Sequence, residues 1–119
     1  MARKTFRVVH PIPAGQERFM AVLPTGMYLN VGLREALPGS IVEFWQEWRH
    51  MRFRLVRRCA VAVNSSVFTF MIRSIYGERT RIADMLAMWE DMAVRDGVGK
   101  EGFDPATALL IEVERIKED

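Results

Sequence analysis

A chain of 119 residues is the size of one domain, 1–119, large enough to bury roughly 65% of its unfolded surface and to fold without metal or disulfide staples. Half of the residues are apolar and 27% are charged, which excludes a disordered or low-complexity chain, and the single cysteine excludes an internal disulfide and suits a reducing compartment, the cytoplasm. Net charge is only +2, yet 14 of the 17 basic residues are arginine, whose planar donors suit carboxylate, phosphate and aromatic partners; a GC-rich genome produces the same bias, so position matters more than number.

Thr5–His10 alternates, carries β-branched residues and is ended by Pro11 and Pro13, so a first strand is expected there. Residues 14–37 are punctuated by Pro24, Gly26 and Gly32 and read as an irregular insertion, with a short strand or helix around Arg18–Leu23 and a helical turn or two around Tyr28–Leu37. The apolar run Phe19–Leu23 is too short for a membrane span or a signal-peptide core, so no membrane association is expected.

At Ser40 and Glu43 a capping-box spacing precedes Ile41, Phe44, Trp45, Trp48 and Met51, which predicts a helix over 41–51. From Arg52 the period falls to two, with Phe53, Leu55, Cys59, Val61 and Val63 on one parity and Arg52, Arg54 and Arg58 on the other, the pattern of a strand. Val67–Tyr76 is rich in β-formers after the turn residues Asn64–Ser65–Ser66, so a hairpin is expected. Its register would pair Cys59 with Phe70 and place Arg52, Arg54, Arg58 and Arg73 on one outer face, with Arg57 the exception on the apolar parity.

Thr80–Asp96 carries Ile82, Met85, Leu86, Trp89, Met92 and Ala93 on one helical stripe, closed by Gly97. Leu109, Ile111 and Val113 then alternate against Glu112 and Glu114, read as a last strand although Asp104–Pro105 resembles a helix start. Strand, helix, hairpin, helix and strand make an α+β chain, a ferredoxin-like βαββαβ sandwich with the insertion after its first strand. The alternative is an all-α bundle, because Phe68, Met71, Ile72 and Ile75 also fit one helix face.

No catalytic, cofactor or metal signature is present. Glu47-x-x-His50 is half of a di-iron arrangement whose second half is missing, and it reads as surface helix; His10 has no partnering motif. Cys59, among Val and Ala, reads as a small buried hydrophobe. Met85, Met88, Met92 and Trp89 read as core packing, with Met88 at the edge of the stripe. The glycines lack the spacing of a phosphate loop.

The sharpest feature is therefore the run of five arginines from Arg49 to Arg58. It predicts a small non-enzymatic binding or regulatory protein, an inhibitor for instance, that docks on a larger acidic protein surface through Arg52, Arg54, Arg58 and Arg73. Two alternatives stand beside it: a nucleic-acid binder, weakened because the expected register puts no aromatic residues on the arginine face, and a homo-oligomeric structural or assembly subunit.

Overall fold

Among the described residues, seven strands and two helices form in the order β1 (Thr5–Val9), β2 (Arg18–Pro24), β3 (Met27–Tyr28), β4 (Val31–Gly32), β5 (Ile41–Gln46), β6 (Arg49–Ala62), α1 (Ser66–Tyr76), α2 (Ile82–Arg95) and β7 (Thr107–Arg115). The computed structural model describes residues 5–24, 27–28, 31–32, 36–46, 49–95 and 106–117. Five strands make one sheet in the order β1-β5-β6-β7-β2, with β1 parallel to β5 and the other neighbours antiparallel; β3 and β4 form a separate two-stranded ladder.

The chain is thus mixed α+β, and the all-α alternative is excluded. Among the described residues the helices follow one another between β6 and β7, so the expected βαββαβ alternation is not met. Two misread segments account for this. Residues 41–46 are a strand because Val42 and Phe44 point inward while Ile41, Glu43 and Trp45 point outward, a period of two hidden inside an apparent helical stripe. Ser40 caps no helix; its Oγ instead accepts from the Leu37 N–H at 3.2 Å in a turn closed by Gly39 at φ 95°. Trp48 and Glu47, which belonged to that predicted helix, lie outside the described residues, as do Asp96, Gly97, Asp104 and Pro105.

The second misreading is the hairpin. Ser65 has extended backbone and its Oγ accepts from the Phe68 N–H at 3.2 Å, which caps a helix over Ser66–Tyr76. Gly77, at φ 117°, ends it by donating its N–H to the Arg73 carbonyl. Phe68 and Ile72 are buried, whereas Phe70 is 69% exposed, so the i, i+4 pattern prevails over the alternating one.

The sheet is strongly coiled. Phe19, Phe44 and Phe53 stand on β2, β5 and β6, yet their ring centroids are 5.3, 5.0 and 5.2 Å apart, a near-equilateral triangle that a flat row of strands ~4.8 Å apart would not give. The concave face is the main core, formed by these rings with Phe6, Val8, Leu23, Val42, Leu55, Ile111 and Val113, and closed by Ile12 and Ala36. Each fully buried large side chain there contributes about 1.5–3 kcal/mol.

The convex face is divided. At the end where β6 leads into α1, Val22 and Ala108 pack with Phe68, Ile72, Met85 and Trp89, so α1 and α2 cover that half in a second cluster. The other half, along Arg18–Met20, Ile41–Trp45, His50–Arg57 and Glu112–Glu114, carries no helix among the described residues, and this is where the charged side chains stand. Among the described residues no helix is long and apolar enough to cross a membrane.

Candidate functional site: the charged convex face

A β-bulge decides which arginines share this face. The β6–β7 register runs Arg54 opposite Glu114 and Leu55 opposite Val113, then skips to Arg57 opposite Glu112. The extra residue, Val56, reverses the parity of everything after it. Arg52, Arg54 and Arg57 therefore point outward together, and Arg58 falls on the concave side opposite Ile111. Arg73, on α1, donates through Nε to the Thr80 carbonyl at 3.5 Å. Of the four predicted contact residues, the structure brings together Arg52 and Arg54, and it exchanges Arg58 for Arg57.

Strand pairing adds partners that the linear sequence separates widely. Arg18 on β2 reaches Glu112 at 3.1 Å and Glu114 at 3.2 Å; Arg57 reaches Glu112 at 2.6 Å and Arg54 reaches Glu114 at 3.5 Å. Toward the other edge Glu43 takes Arg7 at 3.9 Å and His50 Nε2 at 3.0 Å. Five guanidinium groups, from Arg7, Arg18, Arg52, Arg54 and Arg57, thus alternate with three carboxylates, those of Glu43, Glu112 and Glu114.

Such exposed pairs contribute little individually, ~0.2–1 kcal/mol each. Their effect is to order the side chains. Glu112, only 13% exposed, holds Arg18 and Arg57, which remain 55% and 74% exposed. A guanidinium has five N–H donors and one carboxylate engages at most two, so an ion-paired arginine still presents donors outward.

Aromatic rings lie on the same face, contrary to the expected register. Trp45 stacks on His50 at 4.1 Å with an interplanar angle of 24°, and the Arg7 guanidinium lies 5.3 Å from the Trp45 ring centre. The signal in the sequence was the alternation Ile41, Glu43, Trp45, which the helical reading of 41–51 obscured. Arg18, Glu112 and Glu114 could be found only through the pairing of β2 with β7.

The remaining chemical groups stand elsewhere. Cys59 is exposed on the convex side opposite Leu110, its thiol 3.4 Å from the Ala60 carbonyl oxygen, and not buried as its apolar neighbours suggested. His10 is 2% exposed in the concave core against Phe19, Phe44 and Tyr76. Its Nδ1 donates to the Pro11 carbonyl at 2.7 Å and Nε2 has no hydrogen-bond partner. Burial lowers its pKa from 6.5 to about 4, against a smaller raising effect of the Pro11 hydrogen bond, and burial likewise pushes Tyr76 up to about 12. Among the described residues no group of three His, Cys, Asp or Glu side chains could hold a metal ion. Compared with known proteins, the chain matches no family model, no curated protein and no solved structure.

Proposed function

We infer that this is a binding protein, not an enzyme, and that it docks on the acidic surface of a larger protein through the helix-free half of its convex face. The observation that carries this reading is the ladder of Arg18, Arg54 and Arg57 on Glu112 and Glu114, with Arg52 beside it. Its cations exceed its anions, its side chains are held in place before contact, and the helices leave it uncovered. Preordered arginines lose less side-chain entropy on binding than free ones, and alternating signs fix the orientation of the partner.

The interspersed carboxylates favour a protein over nucleic acid, because each would stand against a phosphate backbone. A protein surface can answer both signs. The nucleic-acid reading keeps one specific support, the Trp45–His50 stack beside Arg7, since aromatic rings among basic residues suit single-stranded bases.

Capture from a native lysate, with and without nuclease, separates the two. A protein partner retained after nuclease treatment and lost with the double substitution Arg54→Glu, Arg57→Glu supports protein docking. Recovery of nucleic acid alone, with affinity falling steeply as salt is added, supports the second reading.

A further inference from the structure

β6 is longer than either of its neighbours. Its 14 residues pair with β5 only as far as Arg54, opposite Ile41, and Gly39 and Ser40 make the last bonds on that side, to Leu55. From Val56 to Ala62 β6 keeps β7 on one side, and among the described residues no strand lies on the other. The central strand of the sheet is therefore an open edge over half its length.

The register fixes which backbone groups face this edge. Val63 donates its N–H to the Ala106 carbonyl at 3.0 Å, in step with the pairing of Val61 with Ala108 and of Cys59 with Leu110. Residues 59, 61 and 63 thus turn their N–H and C=O toward β7, and Ala60 and Ala62 turn theirs away, as the alternation of an antiparallel ladder requires. The Ala62 carbonyl accepts from the Ser65 N–H at 3.1 Å and Oγ at 2.6 Å, which ends the edge there, while the Ala60 carbonyl meets the weak thiol donor of Cys59 at 3.4 Å. Cys59, Ala60 and Ala62 are all exposed. Cys59–Ala62 carries neither charge nor proline, two of the devices that guard edge strands against added strands.

We propose that β6 takes up an extended segment of the protein partner as an added antiparallel strand, with bulky apolar side chains over Ala60 and Ala62 on the concave side and an acidic one against Arg57 on the convex side. This deepens the docking reading and rests on it for the acidic character of the partner. The added ladder uses the N–H and C=O of Ala60 and the N–H of Ala62. Side chains directly opposite one another share a face, and two alanines leave room that β-branched residues fill. A second copy paired about Ala60 would instead set alanine against alanine. Arg57, 74% exposed beside Glu112, stands on the same face as Cys59, so the edge runs on into the ladder of Arg57 and Arg54.

The test is an amide NMR titration of the full chain with the acetylated, amidated peptide TVTVTTET in one-letter code, whose valines fall opposite Ala62 and Ala60 and whose glutamate falls opposite Arg57. Saturable shifts centred on 57–62 are expected, with slowed exchange of the Ala60 and Ala62 amides. Methylating the nitrogen of the second valine, which donates to the Ala60 carbonyl, should weaken binding about tenfold. Replacing the glutamate by lysine should weaken it up to about fivefold at low salt. Ala60→Pro should abolish binding with the fold retained, because the N–H it removes lies outside the β6–β7 ladder. No saturable binding at millimolar peptide, shifts elsewhere, or an unchanged affinity of either altered peptide would overturn the proposal. Shifts at Ala60 and Ala62 that grow with protein concentration alone would put a second copy in the partner's place and overturn it as stated. The two readings fail separately: a partner captured equally well by the natural chain and by Ala60→Pro overturns the added strand alone, whereas peptide binding as described, with no protein captured from lysate, removes the docking face and supports the added strand.

Discussion

Acid should destabilise this protein through His10. In the unfolded chain the imidazole takes up its proton near 6.5, while in the folded chain burial among Phe19, Phe44 and Tyr76 delays protonation to about 4. Between those values the unfolded state binds more protons than the folded one, so stability falls as pH falls and levels off below the folded pKa. The contribution lost is about 2 kcal/mol between pH 7 and pH 5 and about 3 kcal/mol by pH 4. Against a total of ~5–15 kcal/mol for a typical domain this is large, and the first figure alone multiplies the unfolded fraction about thirtyfold. Urea unfolding at pH 7 and pH 5, for the natural chain and for His10→Leu, isolates the effect, because every other titrating group is common to both. The natural chain should lose about 2 kcal/mol more than the variant over that interval. Equal losses would refute the assignment of a neutral, desolvated imidazole in the core.

Two further predictions bear on the fold and on the charged face. Phe70→Ser should cost under ~0.5 kcal/mol, as expected for an exposed helix position, whereas Phe68→Ala should cost about 3–5 kcal/mol; the urea midpoints of the two variants distinguish the helix from the alternating strand, in which both rings would be buried. Glu112→Gln should cost about 1 kcal/mol, the loss of two charge-assisted bonds discounted for the exposure of Arg18 and Arg57, and the difference should shrink when unfolding is repeated at high salt. An unchanged midpoint at low salt would show that the ladder does not order the face.

Reading the sequence was successful where one periodicity stood alone. Thr5–Val9, the long strand from Arg52 and the helix over Ile82–Arg95 each present a single pattern, and the last strand, for which Asp104–Pro105 also suggested a helix start, follows the alternation of Leu109, Ile111 and Val113. It failed where two patterns coincide. Ile41–Gln46 satisfies a helical stripe and an alternating one at once, as does Val67–Tyr76; burial of Val42 and Phe44 selects the strand in the first, and burial of Phe68 and Ile72 selects the helix in the second, against its local β-propensity. The site suffered from a smaller event. One bulged residue, Val56, exchanged the orientations of Arg57 and Arg58, and no local composition marks it. The acidic half of the face, Glu112 and Glu114, was visible only as the polar parity of a strand. Its neighbours followed from a sheet order that depends on contacts between residues about a hundred positions apart, such as Arg18 and Glu114.

Hydrogen–deuterium exchange of the chain in complex with its captured protein partner tests the docking face most directly. Slowed exchange should concentrate on residues 18–20, 52–57 and 112–114, with 66–76 unchanged. Protection confined to α1 and its exposed Phe70, leaving the arginine ladder as open as in the free protein, would contradict the account.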